Sequence, residues 1–461
     1  MLCADKAKGN EISRMDLRNL VEYFRKNEYD VRTIHKEVDP KFELAAVARQ
    51  LDGGPAVLFE KLKGSSIPVI VGLYSNRKRV SEIFGADLFR LPFVFEEALS
   101  NRMKPILVKK SPSREICFDK EIDLMKTLPI LWHTPKDAGP YITAGIVIAK
   151  DPETDRRNVS IHRLQVIERD KLAICIAKNM GRHLETFLSK AEARKRPLEV
   201  TISIGVEPSV FFGGCVTNPL ISVGEDELEV AGGIKGEPIE LVQGEKVKVE
   251  AISGSEIILE GEILPDVRVK EGPFLDFANY YNPPENYPVV RIRFISHRKK
   301  PIYQAILGGT FEHTMPGSLL RELSVFKAVR AAAPSVKAVF LTPGGCCLFN
   351  VVISIKKEIE GQQRNAILAA LSSHLYIKHA VIVDEDIDIY NPHEVEWAIA
   401  TRFQGNKDLI VIPETVGHKF DPSSFEGRTT RVGVDATMPL IDRDQFERGV
   451  FLKVNVEDYF D

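Results

Sequence analysis

From about Thr143 to Leu307 the chain reads as a succession of β-type segments: GIVIA, NVSIHRLQVI, LAICIA, EVTISIGV, KVKVEAI, EIILEGEIL and VVRIRFI. No other feature constrains the fold as strongly. Such a series predicts a barrel or a strongly curved sheet. Between the third and fourth segments lies Gly181 to Lys195, where His183, Leu184, Phe187 and Leu188 fall at helical spacing and Pro197 follows. That spacing predicts one helix inserted into the sheet.

The flanks have a different texture. Ser13 and Asp16 look like a capping pair, and Leu17, Leu20, Val21 and Phe24 recur every three to four residues, which predicts an amphipathic helix over 14–27. A second helix around Phe42 to Leu51 precedes two apolar runs, Ala56 to Phe59 and Ile67 to Leu73, short enough to be buried strands. Downstream, Leu319, Leu320, Leu323, Phe326 and Val329 make one stripe over Pro316 to Ala333, a helix expected to link domains. KAVFL, FNVVISI and AVIVD then alternate with helices near Gln362 to Ser373 and Pro392 to Arg402, a βαβ pattern. The expected class is α+β or α/β, and 461 residues at roughly 150 per domain predict two or three domains.

Composition excludes several functions. With 44% hydrophobic and 28% charged residues and a net charge of -3, the chain is an ordinary globular one. Lys109, Lys110 and Arg114 form a compact basic run that reads as a solvated face, so no nucleic-acid partner is expected. The six cysteines form no Cys-x-x-Cys pair, which argues for a reduced setting without structural zinc. No stretch approaches the ~18 apolar residues of a membrane span, and MLCADKAKGNEIS lacks a signal core, so a cytoplasmic location is expected.

Three residues from separate segments, Asn158, His183 and Glu227, have the donor types of a hard-to-borderline divalent ion, Mn2+ or Mg2+ rather than zinc. Each also has a plain reading: a strand-end Asn, a His bonded to backbone, a solvated Glu. Gly181, Arg182 and His183 open a helix, which offers an anion cradle or, equally, ordinary capping. Arg163 lies five residues after Asn158, and Glu271-Gly-Pro-Phe-Leu-Asp276 sets two carboxylates around a Gly-Pro turn. Carboxylates held beside an Arg can divide into an ionised group and a proton donor; a solvated surface turn is the alternative. A strict strand puts Asn158 and Arg163 on opposite faces, so either they serve different partners or the strand bends.

Together these residues resemble the UbiD decarboxylases, whose motifs N-x-S-I-x-R, G-R-H, E-x-x-x-A-G-x-x-x-G, E-G-P-F-x-D and D-x-D-I-D-x-Y occur here in family order. They stand at Asn158 to Arg163, Gly181 to His183, Glu227 to Gly236, Glu271 to Asp276 and Asp384 to Tyr390. The resemblance implies a non-oxidative, reversible decarboxylase of an α,β-unsaturated or (hetero)aromatic carboxylic acid. It implies prenylated FMN as cofactor, with Ser160, Ile161, His162, Arg163, Arg182, His183 and Arg431 as its contacts. Asn158, His183 and Glu227 are then the ligands of Mn2+ or Mg2+ at the cofactor phosphate, with K+ admitted nearby. Asp276 becomes the proton donor, and Glu271 the partner of Arg163.

The family fold implied is a flavin-binding domain with a split β-barrel over 1–312, a linking helix over 313–334 and a C-terminal α/β oligomerisation domain over 335–461. Implied partners are a flavin prenyltransferase as cofactor supplier and further copies of the chain, as a dimer or hexamer. A phosphorylated unsaturated acid of isoprenoid metabolism, such as anhydromevalonate phosphate, and an aryl acid are both admitted as substrates. Two positions depart from the family pattern: Arg431 stands where many members carry Lys, and Leu275 where Gly is frequent. Phe211, Phe212, Cys346 and Cys347 read as core, and His133, His297, His313, His374, His379, His393 and His418 as ordinary residues. A flavin-binding redox protein of split-barrel type and a non-catalytic carrier are the rival readings; neither needs Arg163, Glu271 and Asp276.

Overall fold

Leu17, Leu20, Val21 and Phe24 bury one face of a helix that runs Leu17–Arg25, and its cap is Asp16, whose side chain accepts the Asn19 N–H at 3.1 Å. The second helix is Glu43–Arg49. The two apolar runs form β2 (Ala56–Phe59) and β3 (Val69–Val71), which with β1 (Val31–Ile34) and β18 (Tyr303–Ala305) make a four-stranded sheet ordered β1-β2-β3-β18. The computed structural model describes residues 11–26, 30–176, 183–441 and 443–460. It divides into two units, the first reaching Ser324 and including 343–348 and 418–426, the second made of 325–342, 349–417 and 427–461.

The β-rich run becomes the main sheet of the first unit. Its strands are β5 (Ile116–Phe118), β6 (Tyr141–Ile142), β7 (Ile146–Lys150), β8 (Arg157–Ile161), β9 (Leu164–Glu168), β10 (Lys171–Ile174), β11 (Leu198–Ile204), β14 (Ile257–Glu271) and β17 (Glu285–His297). The order is β6-β9-β10-β17-β14-β11-β7-β8, with β5 on the outer part of β17. Among the described residues this path does not close, with β6 and β8 as its two ends, so where a barrel or a strongly curved sheet was expected the structure has an open antiparallel sheet. KVKVEAI lies elsewhere, as β13 (Glu250–Ile252) in a small sheet with β12 (Glu240–Gln243) and β4 (Ile106–Val108). The inserted helix is present as His183–Ala193.

Between Ile161 and Leu164 the long segment NVSIHRLQVI breaks into β8 and β9. The strand bends where the alternation of Asn158 and Arg163 demanded a choice. The stripe around Leu319 belongs to a helix that begins five residues before Pro316, at Phe311, and runs to Ala332. Tertiary contacts start it early: Asp52 accepts the Phe311 N–H at 3.0 Å, and Glu312 accepts the N–H groups of Gly72 and Tyr74 at 2.6 and 2.8 Å.

The second unit holds a mixed sheet ordered β19-β20-β21-β23-β22. Its strands are β19 (Val336–Leu341), β20 (Asn350–Ile355), β21 (His379–Asp384), β22 (Leu409–Val416) and β23 (Arg428–Ala436). Helices Gln362–Ser373 and Pro392–Arg402 stand where the periodicity puts them. The acidic motif is structural here: Asp384 and Asp386 enclose the fully buried Arg402 guanidinium at 2.6 to 3.0 Å. No helix among the described residues is long and apolar enough to cross a membrane.

Candidate active site

β8 presents Asn158, and helix Glu227–Lys235 opens on Glu227, with Asp226 capping it through the Leu228 N–H. These two meet in the interior. Glu227 Oε1 accepts Asn158 Nδ2–H at 2.9 Å and Oε2 accepts the Val159 N–H at 2.8 Å. His183, at the start of its helix, brings Nδ1 to 3.6 Å from Glu227 Oε1. All three are buried. Burial raises the Glu227 pKa above its ordinary value, with the His183 hydrogen bond as the first opposing effect. Among the described residues no three His, Cys, Asp or Glu side chains gather as a metal cluster. An ion here would therefore need the Asn158 oxygen and outside ligands such as a phosphate.

The bend between β8 and β9 turns Arg163 toward the end of β14. There Gly272, at φ +92°, supplies a backbone conformation that L side chains rarely adopt, so the chain reverses directly after Glu271. Glu271, wholly buried, takes Arg163 through both oxygens at 2.9 Å, from Nε and Nη2. Arg163 Nη1 donates to Asp276 Oδ2 at 2.6 Å. Asp276 also accepts the Phe277 N–H at 2.7 Å on Oδ1 and the Asn282 amide on Oδ2. β15 (Phe274–Leu275) pairs with β16 (Tyr281–Asn282) and carries Phe274, whose ring lies 4.8 Å from the Arg163 guanidinium, while the Phe420 ring lies 6.0 Å from it. Burial works against the Arg163 charge, but Cys175, Glu271 and Asp276 more than offset it and raise its pKa well above the usual value.

Ser160 and His162 are tied together: Ser160 Oγ lies 2.9 Å from His162 Nε2, and His162 Nδ1 lies 2.9 Å from the Cys175 carbonyl. A carbonyl only accepts, so in the neutral ring Nδ1 carries the proton and Nε2 accepts from Ser160. Ile161 packs against an interior apolar cluster. Gly181 and Arg182 lie outside the described residues. Arg431 sits in the second unit on β23, its guanidinium donating to Thr415 Oγ1, His374 O and Val416 O at 3.0 to 3.2 Å.

Two residues read as ordinary from sequence belong to the site's surroundings. His313 Nε2 is 3.8 Å from Asp276 Oδ1, and its buried Nδ1 has no hydrogen-bond partner. His133 is buried beside Phe274, at 6.0 Å between ring centres, with both ring nitrogens unpartnered. Burial, with a smaller effect of His313, pushes the His133 pKa down to about 3, so its ring is neutral. The one sequence signal was Gly308. A Cβ there would lie 2.0 Å from the Leu275 carbonyl, so only glycine lets the segment leading to His313 lie against the 271–276 turn.

With an Arg bridged to two buried carboxylates and a separate buried Asn-His-Glu group described, comparison with known proteins becomes specific. Three parts of 3-octaprenyl-4-hydroxybenzoate carboxy-lyase match the chain: the N-terminal domain over 23–92, the Rift-related domain over 106–311 and the C-terminal domain over 314–436. The chain belongs to the UbiD family. Anhydromevalonate phosphate decarboxylase of Methanothermobacter thermautotrophicus is 40% identical over 416 residues, 90% of this chain and 96% of that protein. Gallate decarboxylase of Lactiplantibacillus plantarum is 33% identical over 479 residues, 95% of this chain and 97% of that protein. Among solved structures, the UbiD-class enzyme HmfF from Pelotomaculum thermopropionicum in complex with FMN superposes at a TM-score of 0.93 with 42% identity. It covers 97% of this chain and 100% of HmfF. An evolved dimeric form of HmfF in complex with prenylated FMN gives 0.89 with 40% identity, over 96% of this chain and all of that one. As a UbiD member the chain is a carboxy-lyase, a non-oxidative decarboxylase of an unsaturated acid; the redox-protein alternative draws no support.

Proposed function

We propose that this decarboxylase works with prenylated FMN and a divalent ion, Mn2+ or Mg2+, and that Arg163, Glu271 and Asp276 are its acid-base unit. The observation that carries this reading is Arg163 held by three of its N–H groups on both oxygens of Glu271 and on Asp276 in a buried setting. Losing CO2 from an sp2 carbon leaves a charge that no side chain can delocalise. When bound, prenylated FMN supplies the electron sink.

The chain's own groups do the rest. Glu271 fixes the guanidinium plane, and Arg163 keeps two of its five N–H groups for a substrate carboxylate. Asp276 delivers the proton to the carbon that has lost CO2. The carboxylate it becomes is met by three donors already in place: Arg163 Nη1, the Phe277 N–H and the Asn282 amide. Asn158, His183 and Glu227 would hold the ion at the cofactor phosphate, because Asn158 spends its N–H on Glu227 and leaves its oxygen as a donor. Ser160, Ile161, His162 and Arg182 are proposed flavin contacts; for Arg431 the family resemblance alone carries that proposal.

For the substrate we favour a phosphorylated α,β-unsaturated acid over an aryl acid. This rests on the anhydromevalonate phosphate decarboxylases at 40% and 39% identity. A separate flavin prenyltransferase is the proposed cofactor supplier, in the cytoplasm. Self-association is proposed from the edge strand β22, which exposes Leu409, Val411 and Val416, and from the dimeric form of HmfF.

The test is expression of the chain with and without a flavin prenyltransferase, followed by absorbance spectra and CO2 release from a panel of phosphorylated, acyclic and aryl unsaturated acids. Prenyltransferase-dependent CO2 release is expected, greatest with a phosphorylated acid. Binding of FMN alone, bleached by NAD(P)H with no acid losing CO2, would contradict the proposal.

A further inference from the structure

Along β18 the side chains alternate between two apolar clusters. Tyr303, Ala305 and Leu307 belong to one; Ile306 belongs to the other, and Ile302 packs against it. Gln304 lies between Ile302 and Ile306 on that second face, opposite Ile70 of the same cluster on β3. It is 1% exposed, and neither its Nε2 nor its Oε1 has a hydrogen-bond partner. Tyr74 Oη, in the same cluster with its ring 4.6 Å from Phe211, is also unpartnered. Buried amides are rarely left with both ends unmet, and an aliphatic residue of similar size would fill the space without that penalty.

The apolar cluster that this face enters also includes Val159 of β8. Thr143 Oγ1 accepts the Ile306 N–H at 3.0 Å, and three residues beyond Thr143, Ile146 is the ladder partner of Ile161, which packs against the same cluster. A primary amide with both ends unmet is complementary to a ligand edge that offers an acceptor and a donor side by side. Phosphates and carboxylates offer acceptors alone. The pyrimidine edge of a flavin ring, with its N3–H between two carbonyls, offers both in one plane.

We infer that Gln304 is a cofactor-positioning residue whose amide reads the imide edge of the flavin ring, donating from Nε2 to a ring carbonyl and accepting N3–H on Oε1. The inference rests on the flavin reading proposed above. Gln304 fixes the in-plane orientation of the ring, while the Asn158, His183 and Glu227 group addresses the phosphate.

The test titrates apo protein, wild type and Gln304→Leu, with FMN and with 3-methyl-FMN, following flavin fluorescence and the visible band positions. Wild type should prefer FMN over the methylated analogue by about tenfold, the worth of one buried hydrogen bond pair. Gln304→Leu should lose that preference, bind 3-methyl-FMN about as wild type does, and shift the FMN absorption bands. Gln304→Met, closer in shape, repeats the comparison should the Leu variant fold poorly. Equal weakening of both flavins by both variants, or an unchanged preference with only a shift in melting temperature, would overturn the inference and leave an ordered water as the partner of the amide. Failure of the wild type to bind FMN would remove the flavin reading and the inference with it.

Discussion

His133 shows what burial does to one side chain. Its pKa is pushed down to about 3 from 6.5, so the unfolded chain binds a proton that the folded chain refuses between those values. Stability therefore falls as pH drops below the unfolded value, by about 2 kcal/mol at pH 5. Urea midpoints at pH 7 and pH 5 should show this loss in wild type and a smaller one in His133→Phe; equal losses would contradict it. Neither His133 nor His313 was legible in the sequence, because their significance comes from Phe274 and Asp276, residues 141 and 37 positions away along the chain. Glu271 and Asp276 were legible, since a Gly-Pro turn between carboxylates is a local pattern, and the structure adds only that Arg163 joins them. Leu275 also becomes explicable in part: its N–H is held by Asp137 at 2.8 Å, so backbone bonding positions it whatever its side chain.

Among elements, apolar periodicity located the helices at Leu17–Arg25, Glu43–Arg49, His183–Ala193, Phe311–Ala332, Gln362–Ser373 and Pro392–Arg402 but not those at Arg77–Phe84, Leu91–Ser100 and Glu227–Lys235, and it does not encode how strands pair. The seven segments that read as a barrel or a strongly curved sheet divide between an open sheet and a small second sheet, because β13 pairs with β12 and not with the main sheet. Helix Phe311–Ala332 starts before Pro316 because Asp52 accepts its first N–H and Glu312 ties its first turn to the N–H groups of Gly72 and Tyr74, a tertiary effect that overrides the local signal. The approach of that helix to the 271–276 turn depends on Gly308. Gly308→Ala would drive its Cβ into the Leu275 carbonyl, so it should destabilise the fold by about 1–3 kcal/mol and reduce turnover. Gly344→Ala, where nothing lies within 4 Å, is the control and should change little. Thermal melts together with kcat measure both; a silent Gly308→Ala would show that the turn yields freely.

At the scale of the whole molecule, three UbiD domains account for the first unit's sheets and site and for the second unit's mixed sheet. The five motifs carried the family because they are spread over most of the chain. Residues from all five enter four arrangements: the Asn-His-Glu group, the bend at Arg163, the carboxylate turn and the clamp on Arg402. Residues that lack a motif, Gln304 above all, stayed silent because an amide without a partner is visible only once its surroundings are. The central claim is that Asp276 hands a proton to the substrate carbon while Arg163 and Glu271 hold the geometry. Asp276→Asn keeps an acceptor for Arg163 but has no acidic proton to give. Prepared with prenylated FMN, it should retain the cofactor spectrum of wild type and lose both CO2 release and hydrogen–deuterium exchange at the product carbon. Wild-type exchange in that variant would contradict the assignment directly.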